Sequence, residues 1–168
     1  MIPAIKKVER ILYATDLSDN AGYAFAHAVL MANCYGARIT ILHVLEDLPP
    51  NALLIMHAYH GRDEWEELQR SSQDKIAQGI RDQIQAFCDE TARSFPECPF
   101  VVDEILVDTG HPVERILHHL EKKPCDMGVM GSRGQGLLKE ALLESTSHRV
   151  LRRSSKPVLV VPLPSKED

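Results

Sequence analysis

Short apolar runs alternate along the chain with longer segments whose apolar residues recur at helical spacing. The runs are rich in Val, Ile and Leu, a pattern typical of strands that are buried on both faces. Strands are predicted over residues 8–14, 38–44, 100–107, 125–130 and 156–162, and helices over residues 21–35, 63–94 and 112–122 and from Ser145 onward.

Local signals sharpen the boundaries of these elements. Ser18 is placed to cap the first helix, and Gly36 follows that helix in the usual terminating position. Pro49 and Pro50 predict a loop after the second strand. Pro112 predicts a helix start, because the N–H that proline lacks is not needed there.

The alternation of strands and helices predicts the fold class. Such a chain forms right-handed crossovers and a parallel sheet with helices on both faces. No internal repeat or linker divides the sequence. We therefore expect a single doubly wound, Rossmann-like α/β domain over residues 1–168.

Composition narrows the classes of function. The net charge of -5, from 24 acidic and 19 basic side chains, argues against a nucleic-acid surface, which needs a basic footprint. No apolar run approaches the roughly 18 residues of a membrane span. The four cysteines form no C-x-x-C pair, and the N-terminus lacks the pattern of a signal peptide. We expect a cytoplasmic, reduced protein that does not bind nucleic acid or membrane.

Candidate chemistry follows two of the predicted strands. In open α/β sheets, ligands bind beyond the carboxyl ends of the strands where the strand order reverses. Asp16 follows the first strand, and Gly131 and Gly134 follow the fourth. A carboxylate accepts hydrogen bonds from a ribose or an adenine edge, and glycines let backbone N–H groups approach phosphate. Each feature also has a structural interpretation, Asp16 as a helix-entry residue and the glycines as a tight turn.

Five segments follow one another in order along nearly the whole chain. They are Ile11-Leu12-Tyr13-Ala14-Thr15-Asp16-Leu17-Ser18, Leu42-His43-Val44, Gly110-His111-Pro112, Gly131-Ser132-Arg133-Gly134 and Pro157-Val158-Leu159-Val160-Val161. Together they resemble the universal stress protein family. This resemblance implies a five-stranded sheet of order 3-2-1-4-5 that is often dimeric. It also implies an ATP-binding branch with the motif Gly-x-x-Gly, nine residues, then Gly followed by Ser or Thr.

Carried over by position, the resemblance implies a nucleotide site that takes ATP or AMP, with Mg²⁺ or Mn²⁺ as companion ion. Asp16 and Val44 would contact the ribose and the adenine. The phosphates would be held by Gly131, Gly134, Ser145 and Thr146. The neighbouring candidates are Ala14, Thr15, Met130, Arg133 and Glu144.

One position departs from the motif, since Glu144 stands where the third glycine is expected. A side chain there takes room from the phosphate, and a carboxylate near a triphosphate would repel it by about 1–3 kcal/mol. Arg133 or Mg²⁺ would offset part of this repulsion. Glu144 also has a structural interpretation, because negative charge at a helix start complements the helix dipole. We expect binding that is weakened, or that prefers fewer phosphates, with complete loss as the alternative.

Two histidine pairs suggest a metal site but do not complete one. Zinc needs three or four convergent ligands, and no Cys or carboxylate spacing completes the pair His57 and His60 or the pair His118 and His119. We therefore predict no metal site in the protein itself. We expect His57 and His60 to lie in a mobile loop over the pocket mouth.

No residue is assigned a catalytic role. Ser132 lies in a sequence similar to a nucleophile elbow, but Met130 stands where that motif needs glycine, so Ser132 is interpreted as a phosphate or turn residue. The Walker motif is absent as well.

The last strand is predicted to form a dimer contact. In the implied order it lies at the sheet edge, where Val158–Val161 would expose unpaired backbone groups unless a second subunit pairs with them. In the alternative, Pro157 and Pro162 simply limit the edge.

The leading hypothesis is a nucleotide-binding regulatory protein in a stress-response setting, a setting that comes from the resemblance. A dimeric interaction protein that has lost nucleotide binding is the second hypothesis, and slow ATP hydrolysis is the third.

Overall fold

Five parallel strands form one sheet of order β3-β2-β1-β4-β5, as predicted. The computed structural model describes residues 6–18, 20–132 and 145–163. The strands are Arg10–Thr15 (β1), Arg38–Leu45 (β2), Val102–Thr109 (β3), Met127–Gly131 (β4) and Val158–Val161 (β5). The helices are Ala21–Tyr35 (α1), Pro50–His60 (α2), Arg62–Ser94 (α3), Pro112–Lys122 (α4) and Thr146–Arg153 (α5).

Strand β1 is the centre of the sheet and separates two hydrophobic cores. Its side chains alternate between the two faces, so that Ile11 and Tyr13 point into one core and Leu12 points into the other. The first core also contains buried residues of α1 and α3, and the second contains buried residues of α4 and Val150 of α5. Both faces of the sheet are therefore covered, as the continuous apolar strands predict.

The clearest error of the sequence-based prediction lies after β2. Pro49 and Pro50 predicted a loop, but Pro50 begins helix α2. Proline suits the first turn of a helix, where its fixed φ is already helical and its missing N–H is not needed. Residues 57 and 60 therefore belong to a helix rather than to the expected loop over the pocket mouth.

The ends of the other elements are corrected in detail. Ser18 does not cap α1 with its side chain. Asn20 holds the cap position without a side-chain hydrogen bond, and the backbone carbonyl of Ser18 accepts from the N–H of Ala21 at 2.9 Å. Gly36 does end α1, in the left-handed conformation at φ 64°, which confirms that prediction. Strand β3 begins and ends two residues later than expected.

Helix α3 is much longer than the strand it precedes. Its 33 residues span about 50 Å, whereas the eight residues of β3 span about 26 Å. Its fully buried residues, Ile84 and Cys88, both lie in its C-terminal half. Because α3 runs from the carboxyl edge of the sheet toward the amino edge, its N-terminal half and α2 project beyond the carboxyl edge. Among the described helices, none has both the length and the apolar character that crossing a membrane requires.

Phe25 of α1 is the residue on which the first core depends most. It is 0% exposed, and its ring lies 5.2 Å from those of Tyr13 and Phe87 and 5.5 Å from that of Phe100. We predict that Phe25→Ala lowers the free energy of unfolding by about 3–5 kcal/mol, because it leaves a cavity among these rings. Urea denaturation followed by circular dichroism measures the change.

The matched control is Leu30→Ala on the same helix, where the side chain is 46% exposed. We expect this substitution to cost under about 1 kcal/mol. Equal losses for the two variants would contradict the central role of Phe25.

Candidate functional site

The carboxyl ends of β1, β2 and β4 bring most of the predicted site residues to one edge. Ala14 pairs with Leu42 of β2 on one side and with Met130 of β4 on the other. Val44 and Gly131 each lie beyond those partners at the ends of their strands. Three of the predicted site residues, Arg133, Gly134 and Glu144, lie outside the described residues, as does the segment 137–143.

The loop after β1 is held by its own polar side chains. Thr15 Oγ1 accepts from the N–H of Leu17 at 3.1 Å, and Asp16 Oδ1 accepts from the N–H of Ser18 at 3.1 Å. Leu17 has a positive φ of 60°, an uncommon conformation for a residue with a side chain. Asp16 thus closes a turn in the loop between β1 and α1.

Two side chains that the sequence did not single out support this loop. His43 Nδ1 lies 2.9 Å from the backbone carbonyl of Thr15. Because a carbonyl oxygen only accepts, Nδ1 donates to it and joins β2 to the end of β1. Tyr13 donates from its hydroxyl to the carbonyl of Ala21 at 2.7 Å. Burial raises the pKa of Tyr13 to about 12, so the hydroxyl keeps the proton that this hydrogen bond requires. The loop is therefore fixed at both of its ends.

A chain of serines ties the start of α5 to the end of β4. Ser145 caps α5, accepting from the N–H of His148 at 3.3 Å, which confirms the predicted helix start. Its Oγ lies 2.9 Å from that of Ser147, and Ser147 donates to the carbonyl of Ser132 at 3.2 Å. Thr146 is the first residue of α5. The first turn of a helix leaves N–H groups without intrahelical partners, and here they lie at the carboxyl edge of the sheet.

Gly131 packs closely against a side chain that the sequence did not single out. A Cβ at this position would lie 2.8 Å from Leu163 Cδ1, which is closer than carbon atoms approach. Ser132 Oγ accepts from the N–H of Leu163 at 3.2 Å and holds that residue in place. Ser132 is therefore a turn residue, one of the two interpretations given to it. The glycine makes room for Leu163, a contact that the resemblance does not include.

An ion cluster beside the edge was missed by the sequence-based prediction. Asp108 pairs in register with Val44. Its Oδ2 accepts from Arg115 Nε and from His119 Nε2, each at 2.7 Å, and also from Arg115 Nη2. Arg115 and His119 are four residues apart on α4, a spacing that places both on one face and that would have been the available signal.

Burial alone would raise the pKa of Asp108. Hydrogen bonds from His119, Arg115 and the N–H of Thr109 outweigh it and hold that pKa below its ordinary value. The carboxylate is therefore charged at neutral pH, and the cluster joins β3 to α4 next to Val44.

Two cavities of about 360 and 940 Å³ open at the opposite, amino edge of the sheet. Both include Arg10 and Cys125 in their walls. Helices in this fold end at the amino edge, where their carbonyls favour cations. Lys156 Nζ indeed donates to the carbonyls of Lys123 and Cys125. The positive charge there is matched to backbone carbonyls and to the carboxylates of Asp103 and Glu104.

Within residues 6–18, 20–132 and 145–163, no group of three or more His, Cys, Asp or Glu side chains is arranged to hold a metal ion.

This geometry defines a doubly wound α/β protein whose polar residues converge at the carboxyl edge of a five-stranded parallel sheet. The sequence profile described as "Universal stress protein family" matches residues 7–162. The chain belongs to that family.

Individual relatives align over nearly their whole length. Universal stress protein MJ0577 of Methanocaldococcus jannaschii is 29% identical over 157 residues, which cover 91% of this chain and 94% of the relative. Universal stress protein YxiE of Bacillus subtilis is 30% identical over 152 residues, covering 90% and 97%.

Solved structures show the same fold. The structure of MJ0577 superimposes with a TM-score of 0.65 at 25% identity, over 96% of this chain and all of that one. UspA from Lactobacillus plantarum gives a TM-score of 0.64 at 23% identity, over 94% and 99%. A universal stress protein in complex with cAMP gives 0.58 at 21% identity, over 93% and 98%.

The lowered pKa of Asp108 predicts a pH dependence of stability. A carboxyl whose pKa is lower in the folded state stabilises the fold fully above its unfolded value of about 4, and this stabilisation is lost as the pH falls through the folded value. We predict that Asp108→Asn loses less stability than the wild type between about pH 5 and about pH 2. Urea unfolding at a series of pH values measures both slopes.

Asp108→Asn should also be less stable than the wild type at pH 7, because Arg115 loses its charged partner. The control is Asp74→Asn on the exposed surface of α3, which we expect to follow the wild-type curve. An acid limb of Asp108→Asn that is as steep as that of the wild type would contradict the assignment.

Proposed function

We propose that this protein is a stress-response regulator that binds an adenine nucleotide, ATP or AMP, at the carboxyl edge of its sheet in the cytoplasm. The observation that carries the proposal is the convergence of two complementary features at that edge. The fixed loop at Asp16, beside Val44, offers a carboxylate acceptor for ribose hydroxyls. The start of α5, capped by Ser145 and tied to β4 through Ser132, offers N–H donors and a positive dipole end for phosphate.

A structural neighbour supports an adenine nucleotide as the ligand class. One protein of the same fold is a universal stress protein in complex with cAMP. Mg²⁺ or Mn²⁺ would arrive bound to the phosphates. Asp16 and the hydroxyls of Ser145 and Thr146 are oxygen donors of the kind that hard cations accept. No catalytic residue is part of the proposal.

Glu144 is the residue that decides how many phosphates the site accepts. It directly precedes Ser145 in the sequence, so we expect its charge to act on a phosphate received at the start of α5. Repulsion grows with the charge of the ligand, so ATP is affected more than AMP. The proposal therefore includes weakened ATP binding and a relative preference for AMP.

We predict opposite effects of two substitutions on nucleotide binding, measured by titration calorimetry with Mg-ATP and with AMP. Glu144→Gly should tighten ATP binding by about tenfold and AMP binding by less, because it removes the repulsion and restores room. Asp16→Ala should weaken both nucleotides by about tenfold, because the ribose loses a charged acceptor.

Asp74→Ala, on the exposed surface of α3, is the matched control and should bind as the wild type does. Unchanged ATP affinity in Glu144→Gly would show that our account of that residue is wrong. Absence of binding in the wild type and in Glu144→Gly would reject the proposal and favour the interaction protein that no longer binds nucleotide.

We also propose a homodimer formed through β5. This strand pairs with β4 on one side, from Val158 with Gly128 to Val161 with Gly131. The carbonyls of Pro157 and Val161 accept from β4 and the turn after it, so strand alternation turns the N–H groups of Val158 and Val160 toward the open edge. Antiparallel pairing with the same strand of a second copy would use them symmetrically.

We predict that light scattering at micromolar concentration gives twice the chain mass of 18.9 kDa. Val160→Pro should give the single-chain mass, because it removes an outward N–H without touching the pairing to β4. Val160→Thr keeps the N–H and the side-chain shape and should stay dimeric. A wild-type protein of single-chain mass would refute this interface.

A further inference from the structure

Helix α2 is largely apolar. Its eleven residues, Pro50–His60, include no Asp, Glu, Lys or Arg, and its most polar residues are Asn51, His57 and His60. Surface helices of globular proteins normally carry charged residues on the face away from the core, and largely apolar helices are normally buried. The composition of α2 therefore indicates a helix with more than one face covered.

The described chain covers only one of these faces. Leu53 and Met56 are half-buried where α2 packs on α3. Leu54, Ile55 and Tyr59 point away and are 70%, 56% and 83% exposed. Ile55 and Tyr59 are four residues apart and lie on one face of the helix, and Leu54 lies on the adjoining face; together we call these three residues the α2 apolar face. Large contiguous apolar surfaces of this kind mark interaction sites.

The charge around this face is strongly one-sided. Residues 46–67 contain six acidic residues and a single basic one, Arg62, for a formal charge of -5. This equals the net charge of the whole chain, so the remainder of the protein is balanced. The six acidic side chains are all exposed and lie just before α2 or in the first two turns of α3: Glu46, Asp47, Asp63, Glu64, Glu66 and Glu67.

This charge discriminates between the possible occupants. A second copy packed on the same face would bring two acidic segments together, at a cost in like-charge repulsion. A membrane with anionic headgroups attracts basic segments and would repel this one. A helix with an apolar stripe between Lys or Arg residues would gain from both the stripe and the flanks.

We propose that the α2 apolar face and its acidic surroundings form a docking surface for a basic amphipathic helix of a partner protein. The apolar stripe of the partner covers Leu54, Ile55 and Tyr59, and its cations lie against carboxylates such as Glu64 and Glu67. The surface stands beside the carboxyl edge but shares no residue with the proposed nucleotide site. It is therefore tested without nucleotide.

The test uses a synthetic amphipathic helix of about 18 residues, with Leu on one stripe and Lys elsewhere. A second peptide has the same composition with its Leu positions scrambled. Trp65, the single tryptophan of the chain, lies at the start of α3 directly after α2 and reports binding by its fluorescence. We expect saturable one-to-one binding of the amphipathic peptide and at least about tenfold weaker binding of the scrambled one.

Two double variants separate the apolar and the ionic contributions. Leu54→Ser with Tyr59→Ser, and independently Glu64→Lys with Glu67→Lys, should each weaken peptide binding by at least about tenfold. The control, Leu30→Ser with Leu151→Ser, removes two apolar side chains that are each 46% exposed, one from α1 and one from α5, and should change binding by less than about twofold.

Several outcomes would overturn the proposal. These are equal binding of the two peptides, or equal losses in the control and in the Leu54 and Tyr59 variant. Self-association that disappears in that variant, seen by sedimentation, would assign the face to a second copy. Binding to phosphatidylcholine–phosphatidylserine vesicles that disappears in the same variant would assign it to a membrane.

Discussion

The structure depends on the need to bury β1 on both of its faces. Parallel sheets are normally covered on both faces. Ile11 and Tyr13 therefore require one layer of helices, and Leu12 requires another. Once both layers are present, β2 and β4 must flank β1, and every connection must return to the same amino edge. The convergence of loops at the carboxyl edge is therefore a consequence of burying one strand.

The fold was predictable because the burial of the strands shows in the pattern of apolar residues along the chain. Each buried strand is a short apolar run, and strand order followed from the resemblance of the whole chain to one family. Helix α2 was missed because it lacks the alternation of apolar and charged positions that marks a helix face. Its residues are apolar without charged positions to mark a face, and Pro50 was interpreted as a loop signal when it begins the helix. The predicted bounds of β3 were two residues too early, because Asp103 and Glu104 interrupt its apolar pattern.

The site was predictable only where it coincides with the ends of elements. Asp16 and Gly131 lie at the ends of strands, and Ser145 lies at the start of a helix. Local sequence specifies such positions. The contacts of Asp108 with Arg115 and His119 depend on how α4 lies against β3, and the fit of Leu163 over Gly131 depends on two distant segments meeting. Such distances are set by tertiary packing, which spacing along a chain does not encode.

The great length of α3 divides one continuous helix into two thermodynamic regions. Amide hydrogens near Ile84 and Cys88 exchange with solvent only when the core itself opens, so their protection approaches the global stability. Those in the projecting half are shielded by little besides α2, and local opening releases them at a much lower free energy. Covering α2 would therefore slow hydrogen exchange in residues 62–78 while leaving the buried half unchanged. The projecting half is the part of the domain whose local stability a partner can alter without unfolding the sheet.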